Sequence, residues 1–312
     1  MPSDRSGVRR APHGVAPTVA HAHPATRRRR TQITRRSTRV GDQHPLDGER
    51  LEPSAPALPT RRRAPGGLPA AGPIVEVIVA VPARNEADYI GACLVAIDAS
   101  ARRCRVPVSI VVAADSCHDD TAAIARAAPM RHARVDVIEA HWHGAGRTRA
   151  AAVAAALAGA ADDLSQVWIA NTDADCLADP SWLPRQLREA RRGIHAVAGV
   201  VTLDPHATPE PLLAQFTATY HVRGATHHHV HGANFGVRAD AYRLVGGWST
   251  HTVVGEDHEL WRRLTAARLE LRQPSDISVT TSSRTTGRVA GGFASRLSRL
   301  ERDRSRHARS AS

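Results

Sequence analysis

Residues 1–72 show no apolar periodicity over any window long enough to make an element, whereas from Ile74 the chain alternates apolar runs with helical spacing. Ile74–Val81 (IVEVIVAV) is a nearly unbroken apolar run, the pattern of a strand buried on both faces of a parallel sheet. The spacing then predicts a helix over Glu86–Ser100, a strand over Val106–Ala113, a helix over Asp119–Ala128 and a strand over Val135–Ile138. An Ala-rich helix over Thr148–Ala158 and a strand over Val167–Ala170 follow. Strands and helices alternating at this interval predict βαβ units and therefore an α/β fold with a parallel sheet. Beyond Asp179-Pro180 the pattern predicts a helix over Ser181–Arg192, a strand over His195–Leu203 and a helix over 208–222. A loop-rich stretch over His227–Gly255, a helix from Glu256 and a last strand over Ile277–Thr281 complete the picture, with the chain expected to fray after Leu300. Ligands of such sheets bind beyond the carboxyl ends of the strands, so the chemistry is expected there.

Composition narrows the class. The 312 residues are 42% hydrophobic, enough for one large domain or two small ones. No run approaches the roughly 20 apolar residues that a membrane-spanning helix needs, and the Arg-rich start lacks the apolar segment of a secretory signal. Cys93, Cys104, Cys117 and Cys176 form no CxxC pair, which argues against a zinc ribbon or a disulfide scaffold and suits a reducing, cytoplasmic setting. All 42 basic residues are Arg, so lysine chemistry is excluded.

The net charge of +12 is unevenly spread. Residues 1–72 hold 14 Arg against five acids and residues 284–312 hold eight against two, while the middle is slightly acidic. The Pro-, Arg-, His- and Ser-rich residues 1–72 are expected to be a disordered extension, residues 73–290 the folded domain and residues 291–312 a basic tail. Arg27–Arg30 and Arg61–Arg63 can meet nucleic acid or the anionic inner face of a membrane. No aromatic residue interleaves them, which disfavours specific nucleic-acid binding.

The strand ends are polar. The first runs into Val81-Pro82-Ala83-Arg84-Asn85-Glu86, where the proline is expected to stop the ladder in a turn. The second runs into Asp115-Ser116-Cys117-His118-Asp119-Asp120-Thr121, with groups suited to the edges of a base or ribose. The third leads to Gly144-Ala145-Gly146-Arg147-Thr148-Arg149, where glycines allow close approach and arginines can meet phosphate. The fourth gives Asn171-Thr172-Asp173-Ala174-Asp175. Carboxylates at i and i+2 of an extended backbone point the same way, as two hard oxygen ligands of Mg2+ or Mn2+ would. The cluster His227, His228, His229 and His231 invites a zinc site, but adjacent histidines cannot all face one ion and no Cys or HExxH accompanies them.

In this order VPARNE, VVAADSCHDDT, GAGRTRAA, NTDADC, HGANFGVR and GEDHELWRRL resemble the family 2 glycosyltransferases, of bacterial type, over about residues 74–290. The resemblance implies a GT-A fold, a Rossmann-like, mostly parallel sheet with a nucleotide-sugar site at the strand ends, and the use of nucleotide-diphosphate sugars. It implies nucleotide-sugar contacts at Pro82, Ala83, Arg84, Glu86, Asp115, Arg147 and Asp173. The metal pair would be Asp173 and Asp175, Asp175 being the direct ligand and Asp173 nearer the ribose. His231, Asn234 and Glu256 would lie by the sugar or acceptor, and Asp257 would be the base that deprotonates an acceptor hydroxyl in an inverting transfer. Trp248 can stack on an acceptor or pack in the core. Arg284 and Arg288 fall in a segment that closes over the diphosphate in related enzymes. The chain departs from the family by a single acid, Asp115, in the second motif and by the absence of Lys in the third. A nucleotidyltransferase is the rival enzyme, disfavoured because no Gly-rich basic loop follows the first strand; a nucleic-acid-binding protein acting through its arginine-rich ends is the rival of another class.

Overall fold

The computed structural model describes residue 68 and residues 72–252, 254–286 and 292–310. Its first half is the expected alternation: β1 (Glu76–Ala83), α1 (Ile90–Ala101), β2 (Val108–Asp115), α2 (Thr121–Arg126), β3 (Arg134–Ala140), α3 (Ala145–Leu157) and β4 (Val167–Asn171). The second half is more broken: β5 (Cys176–Ala178), α4 (Trp182–Arg191), β6 (Ala196–Ala198), β7 (Val200–Leu203), α5 (Glu210–Thr219), β8 (Val222–Arg223), β9 (Thr226–His227) and β10 (Phe235–Arg238). It ends with α6 (Ala239–Leu244), α7 (Glu256–Ala266), β11 (Leu271–Arg272), β12 (Ser278–Thr281) and α8 (Phe293–Ser310).

The main sheet has seven strands in the order β11-β6-β10-β4-β1-β2-β3. It is parallel except for β10, which runs antiparallel to β4 and to β6. Period-two alternation builds its two cores. Val77, Val79 and Val81 of β1 face α1 and α4 in one cluster, while Ile78 and Ala80 face α3 and α7 in the other. Both faces being covered, the apolar run of β1 is what the geometry demands.

Three expectations are corrected. Pro82 does not end β1: it pairs with Ala113 and the strand continues to Ala83. Ala80 accepts from the Thr172 amide on the β4 side, so the missing N–H of Pro82, two residues on, faces the edge where β4 has already ended. The single strand expected over His195–Leu203 is two strands in two sheets, broken at Gly199. A Cβ there would collide with the Asn234 side chain and the Ile277 carbonyl, so only glycine lets the chain pass between the sheets. The second sheet, β5-β12-β7, has β12 antiparallel to β5 and parallel to β7. Finally, the chain does not fray after Leu300. α8 continues to Ser310, and Leu297 is fully buried in a third cluster with Val200, Leu203, Leu212, Phe216 and Tyr220.

The extension expected over residues 1–72 lies outside the described residues save Leu68 and Gly72, and Leu68 packs against the second core. Arg288 also lies outside them. Among the described residues no helix is long and apolar enough to cross a membrane.

Candidate active site

At the ends of the first three strands the backbone takes a left-handed turn at a non-glycine residue: Asn85, Ser116 and His143 have φ of 53°, 53° and 54°. Such conformations persist only where the surroundings enforce them, and here they do. The Asn85 side chain accepts from the His118 amide at 2.8 Å, and Asn85 N–H points to Cys117 Sγ at 3.4 Å. Asp115, buried at the end of β2, accepts from the amides of Trp142 (2.8 Å), His143 (3.1 Å) and Gly144 (3.2 Å), and from the hydroxyls of Thr148 (3.0 Å) and Ser116 (3.1 Å). Burial pushes its pKa up, but these donors hold it below the ordinary carboxylate value. Asp115 thus shapes the loop after β3. Pro82 and Ala83 remain in the strand and Arg84 follows it, half-buried; Arg147 is exposed and donates to the Thr250 carbonyl at 2.6 Å.

The acidic pair lies past the end of β4, in a turn closed by Cys176 N–H on the Asp173 carbonyl at 3.1 Å. The period-two alignment expected of an extended strand therefore does not apply; the turn directs both carboxylates, with Ala174 buried between them. Each meets an arginine. Arg149 Nη2 lies 2.5 Å from Asp173, and Arg284 Nη2 lies 3.1 Å from Asp175. Arg284 also forks onto both oxygens of Glu86, at 2.5 and 2.6 Å, and lies over the Tyr89 ring. Ser282 donates to Asp175 at 2.8 Å. Burial, then the nearby Asp173 charge, push Asp175 above the usual carboxylate value despite Arg284 and Ser282.

The other end of Arg149 pairs with Glu256 at the start of α7. Asp257 follows, its Oδ2 accepting from Gly232 N–H at 2.9 Å and its Oδ1 from the amide of His258 at 2.7 Å. His231 Nε2 lies 3.0 Å from the Tyr220 hydroxyl, and burial lowers its pKa to about 4. His227, His229 and His231 alternate along extended chain and stack on one another at 5.7 and 5.9 Å. Two residues take other roles. Asn234, placed by the sequence beside the sugar, is fully buried: its amide donates to the carbonyls of Val200 (2.8 Å) and Ile277 (3.0 Å) and accepts from Trp182 (2.9 Å), clamping the small sheet to the main one. Trp248 is buried, donates to Asn171 at 3.1 Å and carries the Arg149 guanidinium on its ring, so it packs in the core.

The donor set fits a hard divalent cation. Glu86, Asp173, Asp175 and Glu256 share two guanidiniums, leaving an excess of negative charge where Asp175 is already held back from ionising. Among the described residues no three His, Cys, Asp or Glu converge on one point. An ion there would be completed by substrate oxygens and waters rather than caged by protein. Arg149, which the sequence places with Arg147 where phosphate could be met, is instead buried between Asp173 and Glu256. Ser282 and Thr148 are not marked by the sequence, since nothing in a Ser/Thr-rich stretch singles out Ser282.

A mostly parallel α/β sheet flanked by helices, with its polar strand ends gathered on one side, defines a GT-A fold. The chain belongs to glycosyl transferase family 2, whose model matches residues 78–246, more than half of its length. Its fold is similar to that of the mannosyltransferase PcManGT from Pyrobaculum calidifontis in complex with GDP-Man and Mn2+, with 20% identity, a TM-score of 0.51 and coverage of 68% of this chain and 58% of that one. It is likewise similar to residues 1–349 of S. aureus TarS in complex with UDP-GlcNAc, with 14% identity, a TM-score of 0.52 and coverage of 70% and 61%. The chain spans about three fifths of each of these structures. A search of curated proteins finds no match.

Proposed function

We propose that this glycosyltransferase moves a sugar from a nucleoside-diphosphate sugar to an acceptor hydroxyl with inversion, that Mn2+ or Mg2+ assists, and that Asp257 is the base. The observation that carries this is the joining of the acidic turn to the α7 acidic pair through Arg149. Two chemistries needed on opposite sides of one anomeric carbon are thereby held together. The structures of similar fold with GDP-Man and Mn2+ and with UDP-GlcNAc add support for the donor class.

Transfer passes through an oxocarbenium-like state as the nucleoside diphosphate leaves with growing negative charge. Asp173 and Asp175 would hold the metal, which when bound supplies Lewis-acid stabilisation of that charge. Glu86 and Arg84 lie at the end of the strand beside β2, where the nucleoside is expected, and Arg284 is a second cation for the diphosphate. Asp257 has one oxygen oriented by the Gly232 amide, and its remaining lone pairs take the acceptor proton. The arginine-rich ends supply charge for a peripheral contact with the anionic inner face of a membrane.

Asp257→Asn keeps shape and removes the proton acceptor, so turnover is expected to fall roughly 10²–10⁴-fold while donor affinity hardly changes. Near wild-type turnover, or NMR showing product with the donor's anomeric configuration, would sink the base assignment. A thermal-shift screen of sugar nucleotides with and without Mn2+ identifies the donor.

A further inference from the structure

Arg149 is almost completely buried, with side-chain exposure of 5%, and yet it is a full charge in the middle of the molecule. Its Nη2 meets Asp173 and its Nη1 meets Glu256, 107 residues apart from it in sequence. Its flat face lies over the Trp248 ring, 5.4 Å from the centroid. Two glycines make room. A Cβ on Gly232 would come within 2.6 Å of the guanidinium carbon, and one on Gly146 within 2.5 Å of the Ser249 carbonyl and 3.3 Å of Glu256. Burial disfavours the charged guanidinium, but Asp173 and Glu256 outweigh it and hold it protonated. Such enclosure leaves little access for a substrate. A buried bridging guanidinium is rigid and planar, and its two arms cannot be adjusted independently.

We propose that Arg149 is a positioning residue which ties Asp173, on the donor side, to Glu256, beside the base on the acceptor side, so that the pull on one carboxylate is felt by the other. It rests on the proposed function only for what occupies the two sides. When a cation draws on Asp173, the guanidinium gives up part of that pair and leans on Glu256, which begins the helix that carries Asp257. Conversely, neutralising Glu256 turns all of the Arg149 charge on Asp173, which then competes harder against a metal.

The test uses the full chain and three variants, Glu256→Gln, Arg149→Lys and the two combined. Mn2+ affinity is read by electron paramagnetic resonance with GDP and, separately, with UDP. Glu256→Gln is expected to weaken Mn2+ binding about threefold to tenfold, a coupling of the size found between residues of one ion-pair network. In the Arg149→Lys background, where a single ammonium cannot span both carboxylates, the same change is expected to move affinity less than twofold. An equal loss in both backgrounds would mean simple removal of a nearby negative charge and would overturn the bridge. No loss from Glu256→Gln would overturn it as well. A second arm needs no metal: urea unfolding of Asp173→Asn, Glu256→Gln and their double variant is expected to be non-additive, and additive in the Arg149→Lys background. Additivity in the wild-type background overturns the proposal. Failure of wild-type protein to bind Mn2+ with either nucleotide would instead count against the metal assigned above, and the unfolding cycle then decides the bridge alone.

Discussion

Asp115 and Asn234 carry polar groups that a nucleotide or sugar would use, yet both spend them on the protein. Five donors saturate Asp115, and three buried partners saturate Asn234. Asp175 is different: its carboxylate is crowded, buried and held above the ordinary pKa, so it gains from a cation. Asp175→Ala is expected to abolish Mn2+-dependent nucleotide binding and leave the melting temperature unchanged or higher, since a crowded buried charge is removed; calorimetry with GDP and UDP checks it, and retained binding refutes the ligand role. His231 makes a prediction about pH. Its pKa falls from 6.5 unfolded to about 4 folded, mainly through burial, with Asp257 opposing and His229, Arg296 and His258 reinforcing the shift. The folded state thus resists a proton that the unfolded chain accepts, so this contribution is complete above pH 6.5 and is lost as pH falls toward 4. Between pH 7.5 and 4.5, wild-type protein should lose on the order of 2 kcal/mol more than His231→Gln, read from urea unfolding at each pH. Equal slopes would refute it.

At the scale of elements, the early strands and helices were legible because each is a local pattern: an apolar run for a doubly covered strand, a 3.6-residue stripe for a helix. β10 was not. Phe235–Arg238 is four residues long, sits among His and Gly, and enters the sheet centre antiparallel between β4 and β6. The strands it pairs with lie more than thirty residues away in sequence. α8 is hard to see in the sequence for the opposite reason. Its arginines dominate its composition, while the apolar stripe of Phe293, Leu297 and Leu300 that seats it on α5 is thin. Leu297→Ala is therefore expected to cost about 2–5 kcal/mol, measured as a lowered urea midpoint; a change under half a kcal/mol would show that the helix adds nothing to the core.

For the whole molecule, the described core begins with Leu68, which packs on the second cluster. Residues 1–67 are rich in Pro, Arg and Ser with no apolar period. Their removal is expected to leave the melting temperature within about two degrees and transfer unchanged, whereas removal through residue 72 should lower stability by taking Leu68 as well. A large loss from the shorter deletion would refute the boundary. Vesicle sedimentation of the same shortened chain reads the contribution of its arginines to membrane contact, which should vanish as salt rises.

The order of polar strand ends, the acidic pair and the acidic opening of α7 could be read from the chain alone, because each is a run of adjacent residues whose types limit the chemistry. Where those carboxylates point, and which are free, could not. Asp173 meets Arg149, Asp175 meets Ser282 and Arg284, and Arg284 reaches Glu86 across 198 residues. These partners are brought together by the crossing of two sheets at Gly199 and the return of the chain after β12. Local pattern determines elements; the sharing of buried charge depends on distances that exist only after the sheets have packed.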